Sequence, residues 1–183
     1  MEPNKTQKFR IREILVPLFV LVAVLCVWYI KSNQQLTPPV AIASEPINPD
    51  FELYAKEGFD FESLFAYNLP VILDFGASWC EPCQLMKPVL EKMNAELQGQ
   101  VIIKYIDVDE FPALTAEFPI TVVPTQFFFM ADGTPYRPSD NLPIDFMLYN
   151  LASTGEFALV SHEGFLDEEG LLLILEEMGL SLQ

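Results

Sequence analysis

The sequence predicts an α/β domain with a mixed four- to five-stranded sheet flanked by helices, preceded by one N-terminal transmembrane helix. Beyond residue 50, apolar runs of strand length alternate with amphipathic runs of helix length, which is typical of layered α/β proteins. A separate uncharged run lies near the N-terminus. We therefore divide the chain into a cytoplasmic basic segment, a transmembrane anchor, a Pro-rich tether and a domain, at residues 1–13, 14–30, 31–50 and 51–183.

The uncharged run from Ile14 to Ile30 is long enough to cross a bilayer. Its 17 residues span about 25 Å as a helix, near the lower limit for a membrane-spanning segment. Four basic residues precede the run, and Trp28 and Tyr29 stand at its far end, where aromatic side chains favour the headgroup level. By the positive-inside rule, the N-terminus stays in the cytoplasm. We expect a single-pass cell-membrane protein whose domain is periplasmic or extracellular.

Two features of this region have alternative interpretations. Ala41 and Ala43 have the spacing of a signal-peptidase site, but Ala43 lies 13 positions past the apolar run, which favours an uncleaved anchor. Cys26 follows Ala-Val-Leu, with a bulky leucine where a lipid-attachment site has a small residue. We interpret Cys26 as a small hydrophobic side chain.

The part of the chain beyond the anchor is expected to be an acidic domain on a tether. The formal net charge is −16, and beyond residue 13 there remain six basic and 24 acidic residues, a net charge of −18. Such a surface repels phosphate backbones, so we expect no nucleic acid partner. Residues 31–50 hold four prolines and no glycine, so we expect a semi-extended tether that reaches about 60 Å.

The order of apolar and amphipathic segments predicts the elements of the domain. They are a short helix at 60–68, a strand at 70–76, a helix at 81–99, a strand at 101–109, a short helix at 111–118, a strand at 125–130, a helix from about 143 to 153, a strand at 157–165 and a terminal helix at 167–179.

Two details of this pattern make further predictions. In the helix at 81–99, an apolar residue recurs at every fourth position, and we expect a buried face formed by Leu85, Val89, Met93 and Leu97. Residues 134–156 form an extra segment between the last two strands. A segment of this length either shapes partner choice or covers the sheet edge.

Residues 79–83, Trp-Cys-Glu-Pro-Cys, hold the side chains with the clearest chemistry. A zinc site needs about four ligands, and apart from carboxylates the domain offers only Cys80, Cys83 and His162, so we expect no metal and take His162 as structural. A disulfide across two residues restrains the unfolded chain little. Covalent haem attachment requires histidine where Gln84 stands. A redox-active dithiol remains, and it needs no cofactor.

The two cysteines have different expected roles because they lie at a strand-to-helix junction. Free N–H groups and the helix dipole stabilise an anion at a helix start, so Cys80 is expected to be the attacking thiolate. Cys83 lies one turn further along and is expected to resolve the mixed disulfide.

The stretch DFGASWCEPCQLMKP, residues 74–88, resembles the active-site region of the thioredoxin family. The family's buried aspartate, its tryptophan before the first cysteine and its helix-kinking proline match Asp74, Trp79 and Pro88. Further on, ITVVPTQFFFMADG is similar to the family's segment with a cis-proline. The resemblance covers about residues 55–135, and it implies a thioredoxin-like fold and a thiol–disulfide oxidoreductase.

The resemblance also implies roles for the matched residues. Asp74 would have a raised pKa and exchange a proton with Cys83 during resolution. Pro124 would be the cis-proline, and with Val123 before it and Trp79 it would bind an extended substrate polypeptide.

Some positions depart from the common family pattern. Glu81 replaces the usual glycine, and its charge would raise the pKa of the nearby thiolate and favour a reductant; stabilisation of the helix start explains Glu81 as well. Pro82 fits the first turn of the helix, and because it lies between the two cysteines it is also expected to tune their redox behaviour. Tyr105 stands where the family often has a lysine near the buried aspartate, and Lys104 beside it is expected to face away.

Together with export, the resemblance implies the partners of the protein. The substrates would be disulfide-bearing exported proteins, and a transmembrane thiol carrier would supply electrons because cytoplasmic reducing systems act only inside. The Cys-Glu-Pro-Cys sequence also resembles that of membrane-anchored thioredoxin-like proteins of cytochrome c maturation. A disulfide oxidase or isomerase, and a non-catalytic binding module or chaperone, are the alternatives.

Overall fold

The structure, a computed structural model, describes residues 48–56 and 59–181. The basic segment, the membrane segment at 14–30 and the tether up to residue 47 lie outside these residues, so the predictions made for them stay predictions. In the part of the chain that the structure describes, no helix has the length and apolar character needed to cross a bilayer.

Five strands form one mixed sheet in the order β2-β1-β3-β5-β4. They are β1 Val71–Gly76, β2 Ile102–Asp107, β3 Thr125–Phe129, β4 Met147–Asn150 and β5 Phe157–Glu163. The β1–β2 pair is parallel, and the β1–β3, β3–β5 and β4–β5 pairs are antiparallel. The predicted mixed sheet is confirmed, with five strands.

Helices cover both faces of the sheet. They are the 3-10 helices η1 Pro49–Phe51 and η2 Glu62–Tyr67 and the α-helices α1 Glu81–Glu96, α2 Pro112–Thr115 and α3 Glu168–Glu177. Helices α1 and α3 contribute buried side chains to one apolar cluster, and η2 and α2 pack in the other. The short helices predicted at 60–68 and 111–118 and the terminal helix predicted at 167–179 are therefore present.

The alternation of side chains along β1 decides which residues face the dithiol helix. Leu73 and Phe75 pack in the cluster on the η2 face, whereas Ile72 packs with the α1 residues. Asp74 lies two positions from Ile72, and successive side chains of a strand point to opposite faces. Asp74 therefore faces α1, and it is fully buried.

The buried face of α1 agrees with the predicted one only in part, since Met93 and Leu97 are buried whereas Leu85 and Val89 are not. Its buried residues are Cys83, Met86, Leu90 and Met93, whereas Leu85 is 61% exposed. A helix turns once per about 3.6 residues, so every fourth position drifts by about 40° per step and leaves a straight face. Steps of three and four residues keep to one face, which is why Cys83 shares the core side of the helix.

The helix predicted from about 143 to 153 is wrong. Residues Met147–Asn150 form β4, which pairs with β5 through Met147 opposite Ser161 and Leu148 opposite Val160. Without β4, strand β5 would present its unpaired N–H and C=O groups along the sheet edge, and the pairing satisfies them. The segment 134–156 thus covers a sheet edge, while its effect on partner choice stays a prediction.

Candidate active site

The two cysteines are joined by a disulfide bond at the start of α1. Cys80 is the N-cap residue, and its Sγ accepts a hydrogen bond from the backbone N–H of Cys83 at 3.2 Å. The Cys80 residue is 5% exposed and Cys83 is fully buried. When the pair is reduced, this N–H and the helix dipole stabilise a thiolate on Cys80, the sulfur nearer to the surface.

The segment before β3 lies directly against the disulfide. The Val123–Pro124 peptide bond is cis, and the carbonyl oxygen of Val123 lies 3.4 Å from Cys80 Sγ. The N–H of Gly164, just after β5, donates to the carbonyl oxygen of Pro124 at 2.8 Å. The structure therefore brings Cys80, Val123 and Pro124 together, as the sequence predicts.

Trp79 forms part of the surface next to the disulfide. Its side chain is 70% exposed, and its indole Nε1–H donates to Asp109 Oδ2 at 2.8 Å. Glu81 and Pro82 follow Cys80 in the first turn of α1 and are exposed. The hydrogen bond holds the indole at a fixed place on the surface, where it can contact a substrate. The substrate-binding role of Trp79 and the tuning roles of Glu81 and Pro82 stay predictions.

Asp74 is a carboxyl group buried behind the dithiol helix. Its Oδ1 accepts a hydrogen bond from Gln126 Nε2 at 2.8 Å, and its Oδ2 has no hydrogen-bond partner. Burial raises the pKa of Asp74 from 3.8 to about 7, against the opposing effects of the Gln126 hydrogen bond and the Lys87 charge. A group with this pKa can both accept and release a proton near neutral pH.

Two groups around Asp74 were not singled out from the sequence. Gln126 lies opposite Asp74 in the β1–β3 pairing, and Lys87 reaches over the Tyr105 ring from α1, with Nζ 4.6 Å from the ring centre. Tyr105 lies opposite Asp74 in the β1–β2 pairing. The positive charge that lowers the Asp74 pKa belongs to Lys87 on the dithiol helix. The signal for Gln126 in the sequence is an amide side chain next to the apolar run Phe127–Phe129 of β3.

Lys104 faces away from the site, as predicted. Its Nζ donates to the carbonyl oxygens of Pro49 and Glu52, at 2.8 and 2.5 Å. Burial lowers the pKa of Lys104 to about 8.

On the other side of the sheet, His162 Nδ1 lies 2.9 Å from the carbonyl oxygen of Asp145. Across residues 48–56 and 59–181, no three His, Cys, Asp or Glu side chains group as a metal site.

The fold and the site together define a class of protein: an α/β domain with a Cys-x-x-Cys disulfide at a helix start, facing a cis-proline. The family model described as Thioredoxin matches residues 52–143, half of the chain. The chain belongs to the thioredoxin family.

Known proteins support the same assignment. A bifunctional thioredoxin reductase/thioredoxin of Mycobacterium leprae is 36% identical over 77 residues, which are 42% of this chain and 17% of that protein. A thioredoxin of Staphylococcus aureus is 36% identical over 89 residues, covering 45% of this chain and 84% of that protein. The chain therefore spans less than two thirds of the first relative and most of the second.

A solved structure matches the fold as well. A mutant thioredoxin from Halobacterium salinarum NRC-1 superposes with a TM-score of 0.52 and 27% identity, covering 74% of this chain and 97% of that chain. Family membership and the Cys80–Cys83 pair make this domain a thiol–disulfide oxidoreductase.

Proposed function

We propose that the whole protein is a membrane-tethered reductase that opens disulfides of exported proteins outside the cytoplasm. The observation that carries the proposal is the position of Cys80, whose sulfur caps α1 and meets the Cys83 N–H at 3.2 Å. That position stabilises an attacking thiolate close to the surface, with the resolving sulfur fully buried one turn behind it.

The reaction runs in two exchanges. The Cys80 thiolate attacks one sulfur of a substrate disulfide, forms a mixed disulfide and releases the other substrate sulfur as a thiolate, which takes a proton from water. The Cys83 thiol then gives its proton to the Asp74 carboxylate and attacks Cys80 Sγ. The Cys80–Cys83 bond forms, and the second substrate sulfur leaves. The substrate gains two electrons, which the cysteine pair loses.

The surface around Cys80 supports an extended polypeptide as the substrate. Trp79 and Val122 are 70% and 48% exposed, and both stand beside the dithiol or its facing segment. The backbone of Val123 lies at the disulfide, where it could pair with an extended strand irrespective of its sequence. Such pairing suits an enzyme that must accept several disulfide-bearing proteins.

The location outside the cytoplasm rests on the charge and length of the N-terminal segments. Four basic residues before the apolar run at 14–30 favour a cytoplasmic N-terminus. The enzyme would then need a transmembrane thiol carrier to reduce it again, because glutathione and thioredoxin act inside. Its work would be in cytochrome c maturation or in thiol homeostasis of the cell envelope, since both require reduced cysteines there.

Trapping of mixed disulfides tests the substrates and the compartment together. Because Cys83→Ala removes the sulfur that releases the substrate, cells that express this variant should accumulate covalent complexes through Cys80 that a dithiol reductant separates. Mass spectrometry identifies the partners. The double variant Cys80→Ser/Cys83→Ala is the matched control and should trap none. Partners that are all cytoplasmic proteins would contradict export, and an absence of complexes would contradict the exchange reaction.

The reduction potential of the Cys80–Cys83 pair tests the direction of the reaction. We expect a value near that of reducing thioredoxins, about −270 mV, when the oxidised protein is equilibrated with a glutathione or dithiol buffer. A value near about −120 mV would instead assign the protein to the disulfide oxidases. Replacement of Glu81 by Gly removes the carboxylate beside Cys80, and the same measurement shows whether that charge contributes.

A further inference from the structure

The side-chain amide of Gln126 joins three parts of the active site. Its Nε2 donates to Asp74 Oδ1 at 2.8 Å, and it also lies 3.4 Å from Met86 Sδ and 3.3 Å from the carbonyl oxygen of Gly164. Met86 belongs to the dithiol helix, and the N–H of Gly164 holds the carbonyl of Pro124. Gln126 itself is fully buried.

These contacts determine the orientation of the amide. All three neighbours of Nε2 are acceptors, so an amide turned by half a turn would place its oxygen against the Asp74 carboxylate and the Gly164 carbonyl. Gln126 Oε1 has no hydrogen-bond partner. The amide therefore presents a donor to Asp74 Oδ1, and of the two carboxyl oxygens only Oδ2 is free to take up a proton.

We propose that Gln126 is a positioning residue for the dithiol reaction: it holds Asp74 by Oδ1, leaves Oδ2 to accept the Cys83 proton, and favours the ionised form of the carboxyl. The proposal rests on the exchange reaction described above and adds a residue to it. Asp74 can accept the Cys83 proton only while it is ionised, so any group that favours the ionised form speeds resolution at neutral pH.

The groups that face Asp74 act in different directions. Burial raises the pKa of Asp74 to about 7, and the Gln126 hydrogen bond and the Lys87 charge on α1 both lower it. Tyr105 faces Asp74 from β2, the cysteine pair lies on α1, and His162 lies opposite Gln126 on β5. Among the neutral groups of the site, the amide of Gln126 is thus the donor that favours the carboxylate.

The variant Gln126→Met tests the proposal because it keeps the length of the side chain and removes the donor. The full-length oxidised protein is used first, since disulfide-bonded cysteines do not titrate. We expect the titration midpoint of the Asp74 carboxyl carbon, followed by NMR, to rise by about one pH unit. The rate of disulfide reduction by the reduced protein should then fall about five-fold at pH 7 and recover at higher pH.

Three further variants separate positioning from packing. In an Asp74→Asn background, Gln126→Met should change neither the rate at pH 7 nor its pH profile. His162→Gln removes the imidazole that lies opposite Gln126 on β5 and should leave the Asp74 midpoint unchanged. If Gln126→Met does not fold, Gln126→Glu keeps the shape of the side chain and should raise the midpoint further, because two carboxyl groups then share the site.

The outcomes also distinguish this proposal from the proposed function. An Asp74 midpoint that does not move in the Gln126 variants overturns the proposal, and so does a rate at pH 7 that stays unchanged. The titration requires no catalysis and no partner. A raised midpoint together with a slowed reduction of a peptide disulfide therefore supports the role of Gln126 even where Cys83→Ala traps no exported protein.

Discussion

Cys80 is placed by the rules of a helix start. A helix leaves its first N–H groups without partners inside the helix, and here the N–H of Cys83 donates to the Cys80 sulfur while that of Gln84 donates to the Cys80 carbonyl. Pro82, which stands between Glu81 and Cys83, has no N–H of its own to leave unpaired in this first turn. The Cys-Glu-Pro-Cys order thereby aims a backbone donor at the sulfur that must carry negative charge.

Gly76 shows how tightly the residues beside Asp74 are packed. A Cβ at this position would lie 2.6 Å from Tyr105 Cε2 and 2.8 Å from its hydroxyl oxygen. Tyr105 is buried and its hydroxyl has no hydrogen-bond partner, so its ring is held by packing and by Lys87. The absence of a side chain at the end of β1 therefore makes room for the Tyr105 ring.

The variant Gly76→Ala should lower the free energy of unfolding by about 1–3 kcal/mol, because the added methyl group overpacks a filled site. Urea unfolding of the oxidised protein measures the loss. A double-mutant cycle with Tyr105→Leu is the control, since a smaller side chain makes room for the methyl group. If the loss is the same in both backgrounds, the contact with Tyr105 does not explain the glycine.

Among the helices and strands, the sequence predicts correctly those elements whose local pattern of apolar residues is enough to determine their structure. Strand β1 is a continuous apolar run, and the helix that follows it begins at the cysteine pair. The structure has the strand and the helix where the pattern predicts them. Strand β4 is different. Ile144, Met147, Leu148 and Leu151 lie at the spacing of a helix face, and Met147 and Leu148 are 50% and 59% exposed in the strand. Pairing with β5 decides their structure, and a local pattern does not contain that pairing.

The same division applies to the candidate site. Cys80, Cys83, Asp74 and Pro124 could be predicted because the resemblance attaches them to short motifs with fixed spacing. Gln126 reaches Asp74 only through the register of β1 with β3, and Lys87 reaches Tyr105 only through the packing of α1 on the sheet. Both depend on tertiary contacts, so the sequence indicated them at most as polar residues among apolar neighbours.

For the molecule as a whole, the buried carboxyl of Asp74 lowers the free energy of unfolding at neutral pH, although the proposed proton transfer depends on it. Its pKa is raised from 3.8 to about 7 in the folded protein, so between these values the folded chain holds one proton more than the unfolded chain. Stability therefore falls as the pH rises from about 4 to about 7, and it is level above that range as far as Asp74 is concerned. The titration of Lys104, with its pKa lowered to about 8, lies above this window.

The variant Asp74→Asn should remove this dependence. It keeps an acceptor for the Gln126 amide and cannot ionise, so its free energy of unfolding should exceed that of the natural protein by up to about 4 kcal/mol at pH 8 and by little at pH 4. Urea unfolding of the oxidised proteins at several pH values measures both slopes. Asp140→Asn is the matched control, because Asp140 is exposed and its loss changes the net charge by the same amount. If the two variants gained equal stability at pH 8, relief of the acidic domain's self-repulsion would account for the effect, and the burial of Asp74 would not.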